Sequence, residues 1–381
     1  MAEPLKTYVV AGRDPAADAK IEVFLDACSS SFAQQTIGWR NVIAPIGPDE
    51  SHFLVCQRRD EIVGVLPSYA FQGPLGKILT SVPQAGPLGG IACSRDQAVD
   101  DIYAVLLEAY IALARSLGCA LASLITNPFS PDRELYERCV RPDYLLENKT
   151  QVLDLRVSVN DAGQPLNGSG NLLRNLRKAR SNPLRVDETQ SAENVDEWYE
   201  LHAARHREIG ATPLPRQLFT GALEEMVPRD KARFFFVRLS EGAGEMVAGG
   251  FYLHHGKTID AVMPSMRTEY AKLGPNYALA THTMRWARMR GLRYYNWEPS
   301  PPSGGVYRYK RQWGSKDITY YYLTWITGDV KPFTRSSPEE MGHAYPWHYV
   351  LPFDQIGKEP GSAESPSSRE AAWNARFGEN R

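Results

Sequence analysis

The feature that most constrains this chain is a faint internal repeat. Arg59-Asp60-Glu61-Ile62-Val63-Gly64 is a polar turn that runs into a Val-Gly strand. Ser240 to Gly249 does the same, ending Val247-Ala248-Gly249. Each hairpin precedes a helix closed by a glycine and then a strand. Gly118 follows a helix from about Asp96 to Leu117, with Cys119 to Ile125 as the buried strand. Gly291 follows a helix from Tyr277 to Arg290, with Arg293 to Trp297 as the strand. A glycine just past a helix is the usual left-handed C-terminal cap. Two copies of one α/β unit account for the pattern most simply. Antiparallel hairpins feeding a helix and a further strand imply mixed sheets, not a doubly wound parallel one.

Three segments follow. Residues 1–155 hold the first copy, including a helical stretch from Ala17 to Ala33. Residues 156–330 hold the second, with helices starting near Asn171 and spanning Glu193 to Ile209. Residues 331–381 are broken by Pro332, Pro338, Pro346 and Pro352. Tyr345 to Phe353 is expected to pack on the body. From Gly357 the chain is rich in Ser, Glu, Pro and Gly and is expected to be partly disordered.

With 43 Lys and Arg against 44 Asp and Glu, no bulk charge draws the protein to nucleic acid or an acidic membrane. Anion binding must come from a local patch. Five cysteines without a CxxC read as buried apolar residues of a reducing compartment. No basic-then-apolar leader and no long apolar run is present, so a cytoplasmic location without a transmembrane segment is expected.

Five constellations bear on chemistry. Arg174, Arg177 and Lys178 share one helix face in a stretch with five cations and no acid between 174 and 185. That face could hold the phosphates of a donor, or simply pair with Asp187 and Glu188. Gly304 to Gly314 opens on two glycines and alternates aromatic and basic residues, Tyr307-Arg308-Tyr309-Lys310, before Trp313. Read as a strand, it holds Lys310 rigidly between aromatics, as a developing negative charge would require. Asn296-Trp297-Glu298 ends a strand and offers Glu298 as a base or structural partner. Gly274-Pro275-Asn276 opens a helix whose amides could bind an anion, although Pro275 removes one donor. His202 and His206 have the spacing of metal ligands, but no HExxH and no third ligand accompany them, and no metal is expected. Arg205 or His206 facing a cleft is one alternative, and a surface or satisfied core histidine is the other.

In this order the motifs resemble FemAB-type proteins, a branch of the GNAT acyltransferase superfamily built from two tandem GNAT-like domains. The resemblance runs from about Glu22 to Trp325 and is carried by Arg174 with Leu176-Arg177-Lys178-Ala179. Tyr199, His202, Gly210 to Pro213, Val247 to Gly249, Gly274 to Asn276, Trp286-Ala287, Tyr307, Lys310 and Trp313-Gly314 follow. It implies amide formation without a covalent enzyme intermediate. Lys310 would stabilise the oxyanion, while Glu298, read from the residues themselves, would serve as base or amine anchor. Arg174, Arg177, Lys178, Gly274 and Asn276 would bind the donor, and Tyr307, Trp313, His202 and Arg205 would line the acceptor pocket. The co-substrate would be an aminoacyl-tRNA, serving an amine of a small molecule or cell-wall precursor, with no further cofactor. The alternative is acyl-CoA, in polysaccharide or secondary-metabolite synthesis. Two departures stand out. No long charged heptad hairpin occurs, and the aspartate–glycine strand end common in the family is replaced by Asn296-Trp297-Glu298-Pro299.

Overall fold

The computed structural model describes residues 4–345, apart from 48, 82–87, 95–98, 131 and 243. The chain divides into two compact units. Among the described residues, the first comprises 4–149 together with 319–345, and the second 150–318. The sequence division at 155 and 330 therefore differs mainly at its second boundary. Residues 319–345 return to the first unit and do not form a separate extension.

In the first unit the strands lie in the order Leu5–Ala11, Glu50–Arg58, Glu61–Gly73, Gly76–Thr80, Leu121–Ile125 and the returning Lys316–Ile326. Gly76–Thr80 and Leu121–Ile125 are parallel, and the other neighbours are antiparallel, so the sheet is mixed. The helix Val99–Ser116 makes the crossover and buries Ile102, Leu106 and Tyr110 on the sheet. A Cβ on Gly64 would lie 2.6 Å from Ile102 and 2.9 Å from Leu106, so the glycine sets how closely that helix approaches. The helix expected over Ala17–Ala33 spans Pro15–Ala27. It stops early because Ser31 Oγ donates to the carbonyls of Leu25 and Cys28, taking up its last acceptors. Phe333, Met341 and Tyr345 pack on Ile78, Leu121 and Tyr144. Tyr345 Oη also donates to the Gly76 carbonyl at 2.8 Å. Residues 346–353, expected to pack on the body, and the tail beyond lie outside the described residues.

In the second unit residues 150–154 are followed across the sheet by Tyr294–Asn296, Thr258–Met266, Met246–His255, Ala232–Leu239 and Leu184–Asp187. Only Thr258–Met266 and Tyr294–Asn296 run parallel. Strand alternation sends Phe235 to one face, against the helix Pro275–Met289. It sends Phe234 to the other, against Trp198 of the helix Ala192–Glu208. Gly249 lies under Trp198, where a Cβ would come within 2.6 Å of the indole. The repeated Val-Gly signal thus marks, in both units, a sheet position where a helix presses on bare backbone. The five cysteines form no disulfide, and four of them are buried.

The stretch around Lys310 corrects the sequence reading. Gly305–Gln312 is a helix with Gly304 at its N-cap, not a strand. Tyr309, Lys310 and Trp313 face inward at i, i+1 and i+4, while Arg308 faces solvent. A run of four alternating residues fits either period, and the inward spacing of one, then three, is helical.

Candidate active site

The strand Tyr294–Asn296 carries the chain into the second unit's interior. Buried Asn296 aligns with Asp260 on the parallel neighbour, and Asp260 is itself 2% exposed. The Asn296 carboxamide nitrogen donates to Asp260 Oδ1 at 2.9 Å and to Glu298 Oε1 at 3.2 Å. Thr150 Oγ1 donates to the carboxamide oxygen at 2.5 Å. Two residues on, Glu298 has φ of 63°, a left-handed conformation that non-glycine residues adopt only when their surroundings enforce it.

Lys310 enters from the facing helix and is 6% exposed. Its ammonium donates to the Glu298 carbonyl at 2.6 Å and approaches that of Pro299 at 3.4 Å. Burial pulls Lys310 down to about 7, against an opposing pull from the Glu298 carboxylate. Burial, then the Asp260 charge, pushes the Glu298 carboxyl well above the usual carboxylate range, and Lys310 opposes this. The site therefore contains an amine able to gain or lose a proton near neutrality and a carboxyl that holds its own.

Three elements meet beside it. The helix Gly170–Ser181 packs on the start of Pro275–Met289. There a Cβ on Gly274 would reach Ala179 at 3.1 Å, and Asn175 Nδ2 donates to Tyr277 Oη at 2.9 Å. Tyr277 meets the ring of Tyr309, and Tyr309 Oη donates to the Asn276 carbonyl at 3.2 Å. The donor residues foreseen from sequence and the Lys310 helix thus share one region of the unit. Arg174, Arg177, Lys178 and Arg180 are exposed, and no carboxylate among the described residues pairs with them. Asp187 is held by Arg238 and Glu188 by His282, so the acids that could have neutralised the basic face are occupied elsewhere. Gly274 has φ of 80°, and its carbonyl accepts from the amides of Tyr277 and Ala278. With Pro275 lacking a donor, Asn276 is left as the one open amide of that first turn.

The expected acceptor residues do not gather. His202 is fully buried between Trp198 and Phe219, with Nδ1 3.3 Å from Ser265 Oγ. Burial depresses its basicity to about 3, so it is a neutral core histidine and not a pocket wall. Its neighbour at i+4, His206, bonds the His202 carbonyl through Nδ1 at 3.0 Å. Among the described residues no group of three potential ligands could hold a metal ion. Arg205 pairs with Glu208 and Thr268 at the surface. Trp313 is 1% exposed against Trp297 and Tyr309, a floor beneath the Lys310 helix. Tyr307 is half-buried and donates to Asp317 Oδ2 at 2.7 Å. Sequence reading missed Asp260, Asn296 and Thr150 as site residues. The available signal was an acid inside the apolar strand Thr258-Ile259-Asp260-Ala261-Val262. A groove of about 750 Å³ lies in the first unit, but there Arg133 is taken by Glu137.

Residues 168–311 match the family of GNAT acetyltransferase domains. No curated protein shows significant similarity to the chain. Among solved structures, FemX is 12% identical, with a TM-score of 0.65, over 82% of this chain and 97% of its own. A tandem GNAT protein from the clavulanic acid biosynthesis pathway is 12% identical, with a TM-score of 0.53, over 86% and 99%. The C-terminal domain of a candidate lysylphosphatidylglycerol synthetase from Agrobacterium fabrum is 11% identical, with a TM-score of 0.54, over 89% and 100%. Among the described residues no helix is long and apolar enough to cross a membrane. The 168–311 segment carries a GNAT-type domain, and the chain shares its tandem fold with FemX and with the tandem GNAT protein.

Proposed function

We propose that this protein is a Fem-type N-acyltransferase. It moves an aminoacyl group from aminoacyl-tRNA to an amine of a small molecule or cell-wall precursor, acting in the cytoplasm without a further cofactor. The observation that carries the reading is the unpaired basic face of Arg174, Arg177, Lys178 and Arg180, set beside a Gly274 turn with one open amide. A coenzyme A pyrophosphate is best held by several convergent amides, which this turn lacks. A polynucleotide backbone needs only a row of exposed cations.

The acceptor nitrogen attacks the ester carbonyl, and the carbonyl electrons pass to oxygen. Protonated Lys310 faces that oxyanion, and one such fixed donor is worth about 3–4 kcal/mol of barrier. As the tetrahedral intermediate collapses, the new C–N bond remains and the C–O bond to the donor ribose breaks. The nitrogen gives up its proton and the leaving oxygen takes one. Glu298 and Lys310 stand together as the groups able to exchange these protons.

The test supplies charged tRNAs and acyl-CoAs with candidate amines and reads products by intact mass. Product that disappears after ribonuclease treatment supports the assignment. Product that survives ribonuclease and requires acyl-CoA overturns the donor and favours the thioester reaction.

A further inference from the structure

Lys310 is held by peptide carbonyls, not by a carboxylate, and the nearer carbonyl belongs to a residue in a strained conformation. Something must keep that residue's backbone in place. The Asn296 carboxamide does so from the other side, because its Oδ1 accepts from the Glu298 backbone N–H at 3.3 Å. The orientation of the carboxamide is dictated by its partners. Asp260 and Glu298 carboxyl oxygens accept, so the nitrogen must face them; an N–H donates, so the oxygen must face Glu298 N. Thr150 Oγ1 closes the arrangement by donating to the same oxygen. An aspartate in place of Asn296 could accept from Thr150 and Glu298 N–H. It could donate to neither carboxyl, and it would put a third acid beside two others.

We infer that Asn296 is a positioning residue for Lys310, acting through the left-handed backbone of Glu298, whose N–H it holds and whose carbonyl receives the ammonium. Thr150 sets the Asn296 carboxamide, the carboxamide sets the Glu298 backbone, and the Glu298 carbonyl sets the amine. The kinetic part of the inference rests on the acyl-transfer reading above; the placement of the amine does not.

The test uses the full chain labelled with ¹³C-lysine, with the Lys310 Cε resonance assigned by its loss in Lys310→Arg. In Asn296→Ala the resonance is expected to move and to titrate at a different pH. Turnover should fall about 100-fold with donor KM changed less than about threefold, as expected for a reacting group displaced by about 1 Å. Asn296→Asp, which keeps the acceptor and loses both donors, should not restore turnover. An unmoved Lys310 resonance in folded Asn296→Ala overturns the inference. If Asn296→Ala does not fold, Thr150→Val decides: a moved resonance supports the inference and an unmoved one overturns it. Should the native protein transfer no acyl group from any donor, the functional reading fails while the resonance still decides the placement.

Discussion

Replacing Lys310 with methionine should make the protein more stable and nearly inactive. A lysine with an ordinary value of 10.5 that falls to about 7 on folding lowers stability by about 5 kcal/mol while it is held charged. The sign follows from the proton balance. Between about pH 7 and 10.5 the unfolded chain binds a proton that the folded protein has lost. The cost is therefore full below pH 7 and fades as the pH rises towards 10.5. Methionine removes the charge and keeps the apolar stem. It leaves the Glu298 and Pro299 carbonyls without their donor, at about 1–3 kcal/mol. The net gain at pH 6 is then about 3 kcal/mol, or about 6–12 °C in melting temperature. At pH 9 only about 2 kcal/mol of the lysine cost remains, and the gain should nearly vanish. Turnover at neutral pH should fall about 10²–10³-fold. Melting curves of both proteins at pH 6 and pH 9, beside the acyl-transfer assay, test this. An equal change in melting temperature at the two pH values, or a loss at pH 6, refutes the claim that Lys310 is a costly buried cation.

Three further outcomes are expected. Neutralising Arg174, Arg177 and Lys178 to glutamine should raise donor KM at least about tenfold with little change in kcat, and lower the salt slope of binding by about 2–3; an unchanged salt slope removes the basic face from donor binding. Glu298 keeps its proton in the folded protein after the unfolded chain has lost it, so its contribution to stability declines as the pH rises above 4.5. Buried histidines such as His202 make stability rise with pH in this range, so urea unfolding between pH 4.5 and 7 should give a less positive slope in the native protein than in Glu298→Gln, and equal slopes refute the shift. Gly249→Ala drives a methyl into Trp198 and should cost about 1–3 kcal/mol, read as a lower urea midpoint without loss of the m-value.

Much of the fold was legible because glycine has few uses in regular structure. Gly118, Gly210 and Gly291 all take the left-handed conformation that ends a helix. Gly64 and Gly249 were visible as a repeated pair, although only the packing explains why both must lack a side chain. The basic face and the Gly274 turn were legible as local patterns, and their adjacency was not, since Asn175 and Tyr277 lie far apart in sequence. The Lys310 helix was misread because four residues cannot separate a period of 2 from one of 3.6. The heart of the site was hidden for another reason. Asn296 matters through what it touches, and Thr150, Asp260 and Glu298 come from separate elements. The return of residues 319–345 to the first unit left no local trace, because it rests on strand pairing such as Leu121 with Ile326.

That return has a consequence for how the chain comes off the ribosome. The described part of the second unit, residues 150–318, is continuous and is complete once residue 318 has emerged. The first unit does not, although most of it is made earlier. Its strand beside Leu121–Ile125 and the Phe333 and Tyr345 side chains that cover Ile78 and Leu121 are completed only after residue 318. During synthesis the N-terminal unit must wait with a sheet edge and an apolar face uncovered while its successor folds. Vectorial completion is thus inverted here, and the exposed Leu121–Ile125 edge is where a nascent-chain chaperone would be needed most.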